Sequence, residues 1–187
     1  MKKIILLVGE TCSGKDTVAN LLPYEKVVSF TTRPMRPSDI QGVTHHFITD
    51  EEMDEIERCK TLIAKTKTGK YRYCATADQI KGDVAVYIIN PDGIDWFKRY
   101  NPKNVKIVVV GIYLPYYVRK NRCKKRGDDI RTFMERTHAE EKDYERFRRL
   151  GEFDFMFKNY DSKITAKVIM DLISKYDIFH KPQEVIE

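Results

Sequence analysis

Apolar residues along this chain fall in short continuous runs separated by stretches of helical periodicity. The runs at residues 4–8, 27–30, 84–89, 105–113 and 153–157 read as strands. Several are unbroken rather than alternating, the pattern of strands buried on both faces of a parallel sheet. Between them, residues 15–22, 50–59, 92–100, 115–125, 130–150 and 162–175 read as helices. Pro115 takes a first-turn position, and Asp161 or Ser162 caps the last helix. Alternation of this kind predicts an α/β fold, a parallel sheet flanked by helices with right-handed crossovers, in which ligands sit beyond the carboxyl ends of the strands.

Residues 31–81 break the rhythm. They are polar, with short strand-like pieces at 46–48, 61–66 and 70–74 and turn signals at Gln41-Gly42 and Lys67-Thr68-Gly69. About fifty residues is too long for a plain loop, so the stretch is expected to be an inserted small subdomain. The chain then divides into a core (1–30, 82–118 and 150–187), the insert (31–81) and a basic region (119–149). A short tail follows Tyr176.

Composition narrows this little. A chain of 187 residues with 42% hydrophobic and 33% charged residues suits one globular domain. No apolar run approaches eighteen residues, and Met1-Lys2-Lys3 leads straight into a strand, so neither a membrane span nor a secretory leader is expected. The four cysteines, Cys12, Cys59, Cys74 and Cys123, lack C-x-x-C or metal spacing and read as free thiols of a reducing cytosol. The net charge of +6 is concentrated at 119–149, where twelve Lys or Arg face seven Asp or Glu. Such a stretch suits a small polyanion, a nucleic acid or a membrane surface.

The sharpest local chemistry is Gly9-Glu10-Thr11-Cys12-Ser13-Gly14-Lys15-Asp16-Thr17, set between the first strand and the first helix. Two glycines let the backbone wrap so that loop amides point inward as an anion-binding nest, and Lys15 adds a point charge for outer phosphates. Strand, glycine-bounded loop and helix in that order are the setting of a phosphate-binding loop (P-loop), with a triphosphate as the expected ligand of Gly9, Thr11, Cys12, Ser13, Gly14, Lys15, Asp16 and Thr17. Asp16 stands where the magnesium-ligating Ser or Thr usually follows the lysine. Cys12 reads as a small loop residue.

A second constellation is Ser29-Phe30-Thr31-Thr32-Arg33-Pro34-Met35-Arg36-Pro37. Two arginines three apart, stiffened by prolines, can turn two guanidinium forks toward one anion. Read alone, the segment is equally a solvated basic turn. Residues 29–48, SFTTRPMRPSDIQGVTHHFI, closely resemble the GMP-binding segment of guanylate kinases, roughly S-x-T-T-R-x-x-R-x-G-E-x-x-G-x-x-Y-x-F. Weaker similarity continues through nearly all of the chain. The resemblance implies a P-loop nucleoside monophosphate kinase with ATP and Mg2+, in which Arg33, Arg36 and Tyr73 hold the acceptor phosphate and Ser29 and Thr76 lie near the acceptor. Tyr71 is a rival to Tyr73, because one residue is inserted there. Arg126 and Arg136 resemble the two lid arginines, and Asn159 ends the strand leading to the adenine pocket.

The basic region fits a lid, because mobile arginines closing over a transferring phosphoryl group stabilise its charge and exclude water. Residues 119–131 carry no aromatic side chain, which argues against a nucleic-acid groove. Glu140, Glu141, Asp143 and Glu145 read as the solvated face of a helix that turns Phe133, Tyr144 and Phe147 inward.

The family pattern is broken at three places. His45 replaces a tyrosine, and a histidine can still donate to phosphate, more strongly when charged. A metal pair with the adjacent His46 has no third ligand in view. The guanine-reading glutamate is expected near Ala64, where alanine cannot accept from guanine N1 and N2. Asn90 replaces an acidic residue at a strand end, so the magnesium-side carboxylate is expected either to have moved to Asp16 or to be Asp92. The expectation is a cytosolic guanylate kinase acting on GMP or dGMP. A same-fold kinase for another nucleotide or a sugar phosphate, and a non-catalytic guanylate-kinase-like interaction module, are the alternatives.

Overall fold

A computed structural model describes residues 2–36, 39–100 and 105–180. The expectations placed on Pro37 and on the tail beyond residue 180 lie outside the described residues.

The strands are β1 (Lys2–Val8), β2 (Glu25–Val27), β3 (Phe30–Thr31), β4 (His46–Phe47), β5 (Leu62–Thr68), β6 (Tyr71–Thr76), β7 (Val84–Ile88), β8 (Val105–Tyr113) and β9 (Phe155–Lys158). The helices are α1 (Lys15–Leu21), α2 (Asp50–Cys59), α3 (Pro91–Tyr100), α4 (Tyr116–Arg126), α5 (Ile130–Leu150) and α6 (Ser162–Lys175). Five strands form one parallel sheet in the order β2-β7-β1-β8-β9. β1 lies at its centre, so its phosphate-loop end opens mid-sheet.

The continuous apolar run of β1 is explained by what lies on either side. Ile4, Leu6 and Val8 pack with Phe97 of α3 and Tyr144 and Phe147 of α5. Ile5 and Leu7 face the other way, onto Val18 and Ala19 of α1 and Ala166 and Ile169 of α6. Period-two side-chain geometry thus serves two cores from one strand. All five side chains from Ile4 to Val8 are fully buried, and each contributes about 1.5–3 kcal/mol of transfer free energy.

The run at 27–30 is not one strand. β2 ends at Val27 in the central sheet, and Phe30 opens β3 in a second sheet of order β4-β3-β6-β5. Val28 and Ser29 carry the crossing between sheets, a break that a continuous apolar run does not mark. β5 and β6 pair antiparallel from Leu62↔Thr76 to Thr68↔Tyr71, closed by Gly69 at φ +60°, the left-handed conformation such a turn requires. α2 covers this sheet and starts from a complete capping box between Thr49 and Glu52.

The end of the chain is also tied down. Phe179 is buried, and His180 exchanges backbone hydrogen bonds with Ile107 of β8.

Candidate active site

The loop between β1 and α1 is held open by backbone geometry. Gly14 sits at φ +91°, and a Cβ there would fall 2.5 Å from Asn159 Nδ2 and 3.0 Å from Arg122 Nη1. Cys12, at φ +62°, is the one non-glycine residue in the left-handed region among the described residues. A non-glycine residue in that region is strained, and such strain concentrates at ligand clamps. Ser13 Oγ is buried with no hydrogen-bond partner. An orphaned, buried hydroxyl in this glycine-bounded loop suits an anion such as a polyphosphate. Lys15 is partly exposed beside it, and Asp16 and Thr17 are exposed in the first turn of α1.

Each residue from Gly9 to Ser13 is gripped by a side chain from the region 119–148. Tyr144 OH donates to Gly9 O at 2.8 Å, with burial and the nearby Glu140 and Glu10 carboxylates pushing its pKa well up. Glu10 is buried between Arg119 (2.9 Å) and Arg148 (3.1 Å). Arg119 also donates to Thr11 O at 3.1 Å. The Glu140 carboxylate accepts from both Thr11 N (2.8 Å) and Thr11 Oγ (2.6 Å). Arg122 donates to the carbonyls of Ser13, Asn159 and Tyr160, and Asn159 Nδ2 donates to Ser13 O at 2.8 Å.

Two expectations are corrected here. Glu140 does not belong to a solvated face but to the loop. Glu140, Tyr144 and Arg148 fall four residues apart, and this spacing places them on one helix face, a signal the sequence carried. Nor are all four cysteines free: Cys12 and Cys123 form a disulfide with Cα atoms 5.9 Å apart, leaving Cys59 and Cys74 as the thiols. The two lie 111 residues apart, and only the packing of α4 on the loop brings them together.

The second cluster gathers on the smaller sheet. Arg33 is buried, ion-paired with Asp39 at 2.8 Å and stacked over Phe47 at 5.2 Å. Asp39 also accepts from Arg36 N at 2.7 Å, so it shapes the turn carrying both arginines. Partial desolvation, then the like charges of Arg136 and Arg33, push the Arg36 guanidinium below its usual range. Arg136 of α5 thus lies within electrostatic reach of Arg36. Tyr73, from β6, stands 5.8 Å from the His45 ring. Tyr71 instead lies against Lys70.

His45 is largely buried, and desolvation followed by the Arg33 charge lowers its pKa from its ordinary value. Near neutral pH it is therefore an uncharged donor, not the cation weighed from the sequence. Asp16 is among the charges it feels, which links this cluster to the phosphate loop. Ser29 Oγ is buried and donates to Tyr87 OH at 3.1 Å, beside a tyrosine whose burial pushes its pKa up to about 12. Thr76 is buried and hydrogen-bonds Asp78 in the turn that follows β6. Arg126 is not in this cluster. It folds back on Asp128, with Nη2 3.5 Å from Cys12 Sγ.

The three departures from the pattern acquire physical reasons. Ala64 packs in the apolar core with Ile63, Ala75 and Ile80, next to an irregularity in β5. Asn90 Oδ1 accepts from Gly93 N at 3.0 Å, and a carboxamide is well suited to start α3 there. Asp92 turns toward α5, 3.5 Å from Arg146, with burial and Asp143 raising its pKa. Asp16 enters no ion pair with a described residue. Its exposed carboxylate at the loop is a hard oxygen that fits a water-bound divalent ion, whereas Asp92 is engaged elsewhere. The nearest approach to a metal cluster among the described residues is Cys12, Cys123 and Asp128, and it does not include His45 or His46.

Comparison with known proteins agrees with this geometry. The family model for guanylate kinase matches residues 1–176. A guanylate kinase of Clostridioides difficile (strain 630) is 30% identical over 186 residues, covering 93% of this chain and 89% of that protein. A guanylate kinase of Wolbachia pipientis is 26% identical over 181 residues, covering 92% and 89%. In fold, the crystal structure of guanylate kinase from Anaplasma phagocytophilum superposes with a TM-score of 0.64 at 17% identity, covering 92% of this chain and 85% of that one. Matched over residues 1–176 and 30% identical to a relative across nearly its whole length, the chain belongs to the guanylate kinase family.

Proposed function

We propose that this protein transfers the γ-phosphoryl group of ATP, with Mg2+, to GMP or dGMP, giving ADP and the corresponding diphosphate. As a member of its family the chain is a nucleoside monophosphate kinase. The observation carrying the finer reading is the convergence of Arg33, Arg36, Tyr73 and His45 with Arg136 from α5, within electrostatic reach of Asp16 on the phosphate loop. Two anion sites, one on each sheet, then face one another.

In this reading the loop from Gly9 to Thr17 binds the ATP phosphates through its amides, Ser13 Oγ and Lys15, and Asn159 borders the adenine. Arg33, Arg36, His45 and Tyr73 hold the acceptor phosphate, with Ser29 and Thr76 nearer the nucleoside. Asp39 shares its carboxylate between the Arg33 fork and the Arg36 backbone, so an arriving phosphate competes for a site already shaped for an anion. Arg136, and Arg126 once released from Asp128, supply positive charge as the transfer proceeds. Magnesium at Asp16 would supply charge neutralisation on the outer phosphates. No general base is needed, since the acceptor monoester is already an oxyanion and positioning supplies much of the rate.

The division of labour is a core sheet for the donor, the insert 31–81 for the acceptor and the region 119–149 as lid. A second reading keeps the same chemistry with another acceptor, and Ala64 favours it: the expected guanine-reading position lies in apolar core with no carboxylate to accept from N1 and N2. ADP release measured against GMP, dGMP, AMP, UMP, CMP, dTMP and phosphosugars separates the two. Turnover with GMP or dGMP above the others supports the first reading. Preference for another acceptor replaces it with the second, and no release with any nucleotide overturns both.

A further inference from the structure

Cys12 and Cys123 are more than a packing accident. Cys12 stands at the strained crown of the phosphate loop, and Cys123 on the buried side of α4, 1% exposed. Their Cα separation of 5.9 Å lies within the range a disulfide spans without backbone movement. Two charged groups flank the pair. Arg126 Nη2 lies 3.5 Å from Cys12 Sγ, and Asp128 Oδ2 lies 3.2 Å from Cys123 Sγ while ion-paired to Arg126. The sulfurs and that carboxylate fall within 4.8 Å of one another. The other two cysteines lack such surroundings. Cys74 is buried beside Met53 with its pKa pushed up to about 12, and Cys59 is exposed on α2.

We propose that Cys12 and Cys123 form a reversible redox modification site, a dithiol oxidised by a low-molecular-weight disulfide, and that the bridge arrests phosphoryl transfer. The arrest rests on the kinase reading above; the site itself does not. The Arg126 guanidinium lies 3.5 Å from Cys12 Sγ and the Asp128 carboxylate 3.9 Å from it, and the partly exposed loop gives a small disulfide access to this sulfur. The Cys12 thiolate attacks one sulfur of the small disulfide and expels a thiolate. Asp128 lies beside Cys123 to take its proton, and the Cys123 sulfur then attacks the mixed disulfide at Cys12, expelling the second. Two protein S–H bonds are lost and one S–S bond forms, while the small disulfide gains two electrons and two protons to become two thiols. Thiols of the same class reverse the steps.

The consequence follows from what each sulfur is attached to. Cys12 belongs to the donor loop, and Cys123 to the helix that ends in Arg126 and turns through Gly127 into α5, which carries Arg136. Turnover requires this region to open for nucleotide exchange and to close for transfer. A covalent staple at the loop crown holds α4 packed on the loop as in this structure, so it slows nucleotide exchange and with it the cycle.

The test uses the full chain, fully reduced and then treated with oxidised glutathione. Alkylation and mass spectrometry are expected to count four thiols before and two after, with Cys12 and Cys123 in one linked peptide pair. The phosphoryl-transfer rate and the exchange rate of a fluorescent ATP analogue are both expected to fall at least about tenfold and to recover with dithiothreitol. Cys123→Ser is expected to match the reduced protein before treatment and, lacking the second sulfur, to form no bridge and to keep one glutathione on Cys12 as a mixed disulfide, read by mass spectrometry. Four thiols persisting after treatment, or a bridge that leaves both rates unchanged, overturns the proposal. If the reduced protein phosphorylates no acceptor, the kinase reading fails, while the thiol count and the ATP-analogue exchange still decide the site.

Discussion

Glu10 and Arg119 meet at 2.9 Å with both side chains almost wholly withdrawn from solvent, although 109 residues separate them. Glu10 lies in the loop between β1 and α1 and Arg119 in α4, so this pair ties that loop to the helix packed over it. Arg148 supports Glu10 from α5, and Arg119 spends its remaining donors on Leu114 O and Thr11 O. Removing one partner of a buried pair strands a charge, whereas removing both can be close to neutral.

Arg119→Met is therefore expected to destabilise the fold by about 3 kcal/mol, softened by Arg148. For a chain of this length the thermal midpoint should fall by about 6–12 °C. Glu10→Gln combined with Arg119→Met is expected to recover part of that loss. Thermal unfolding of Arg119→Met, Glu10→Gln and the double variant beside the parent checks this, and a double variant as unstable as the sum of its singles would show the pair to be uncoupled.

Lys15 carries the donor reading. Lys15→Met keeps the stem length and removes the charge, and the side chain is only partly buried, so the thermal midpoint should hold. Phosphoryl transfer should fall by at least about a hundredfold, as when a fixed group facing developing charge is lost. ADP release beside a melting curve measures both at once. Near-parental transfer would remove the loop from the mechanism.

Much of this was legible in the sequence because its causes are local. The strand run at Ile4–Val8 and the strand, glycine-bounded loop and helix that follow from it are set by neighbours in the chain, and these elements form where expected. Asn90 was legible as a departure, but its use as the cap of α3, accepting from Gly93 N, needed the helix to be seen starting there. What stayed hidden depends on contacts across more than a hundred residues. Thr11 with Glu140 and Cys12 with Cys123 meet only because α4 and α5 pack over the loop. The charged residues of α5 looked like a solvent face because composition does not record what covers a helix. The run at 27–30 hid its break for the opposite reason: Val27 and Phe30 are apolar for two different sheets.

Asp16 makes the magnesium reading testable. Asp92 is turned toward Arg146 and Asn90 is spent on Gly93, which leaves Asp16 as the exposed carboxylate at the loop. Asp16→Asn removes the charge while keeping an oxygen. The magnesium concentration for half-maximal transfer is expected to rise about three- to tenfold, with the rate at saturating magnesium less affected. A magnesium titration of parent and variant decides it, and superimposable curves would assign the ion elsewhere.

His45 gives the protein a predictable response to acid. Burial and the Arg33 charge depress its pKa in the folded state, while in the unfolded chain it returns to its ordinary value of 6.5. Between those two values the unfolded chain binds the proton and the folded one does not, so lowering the pH through 6.5 draws the equilibrium toward unfolding. The contribution of His45 to stability is thus fully present above pH 6.5 and is lost progressively below it. His45→Tyr, the residue type of the family pattern, keeps a ring and a donor but no group that titrates in this range. Thermal midpoints measured from about pH 7.5 down to about pH 5 should fall less steeply for the variant than for the parent, after both have been corrected for their difference at the upper end. Parallel curves would mean that His45 carries no such linkage and that its ring is charged in the folded state as readily as in water.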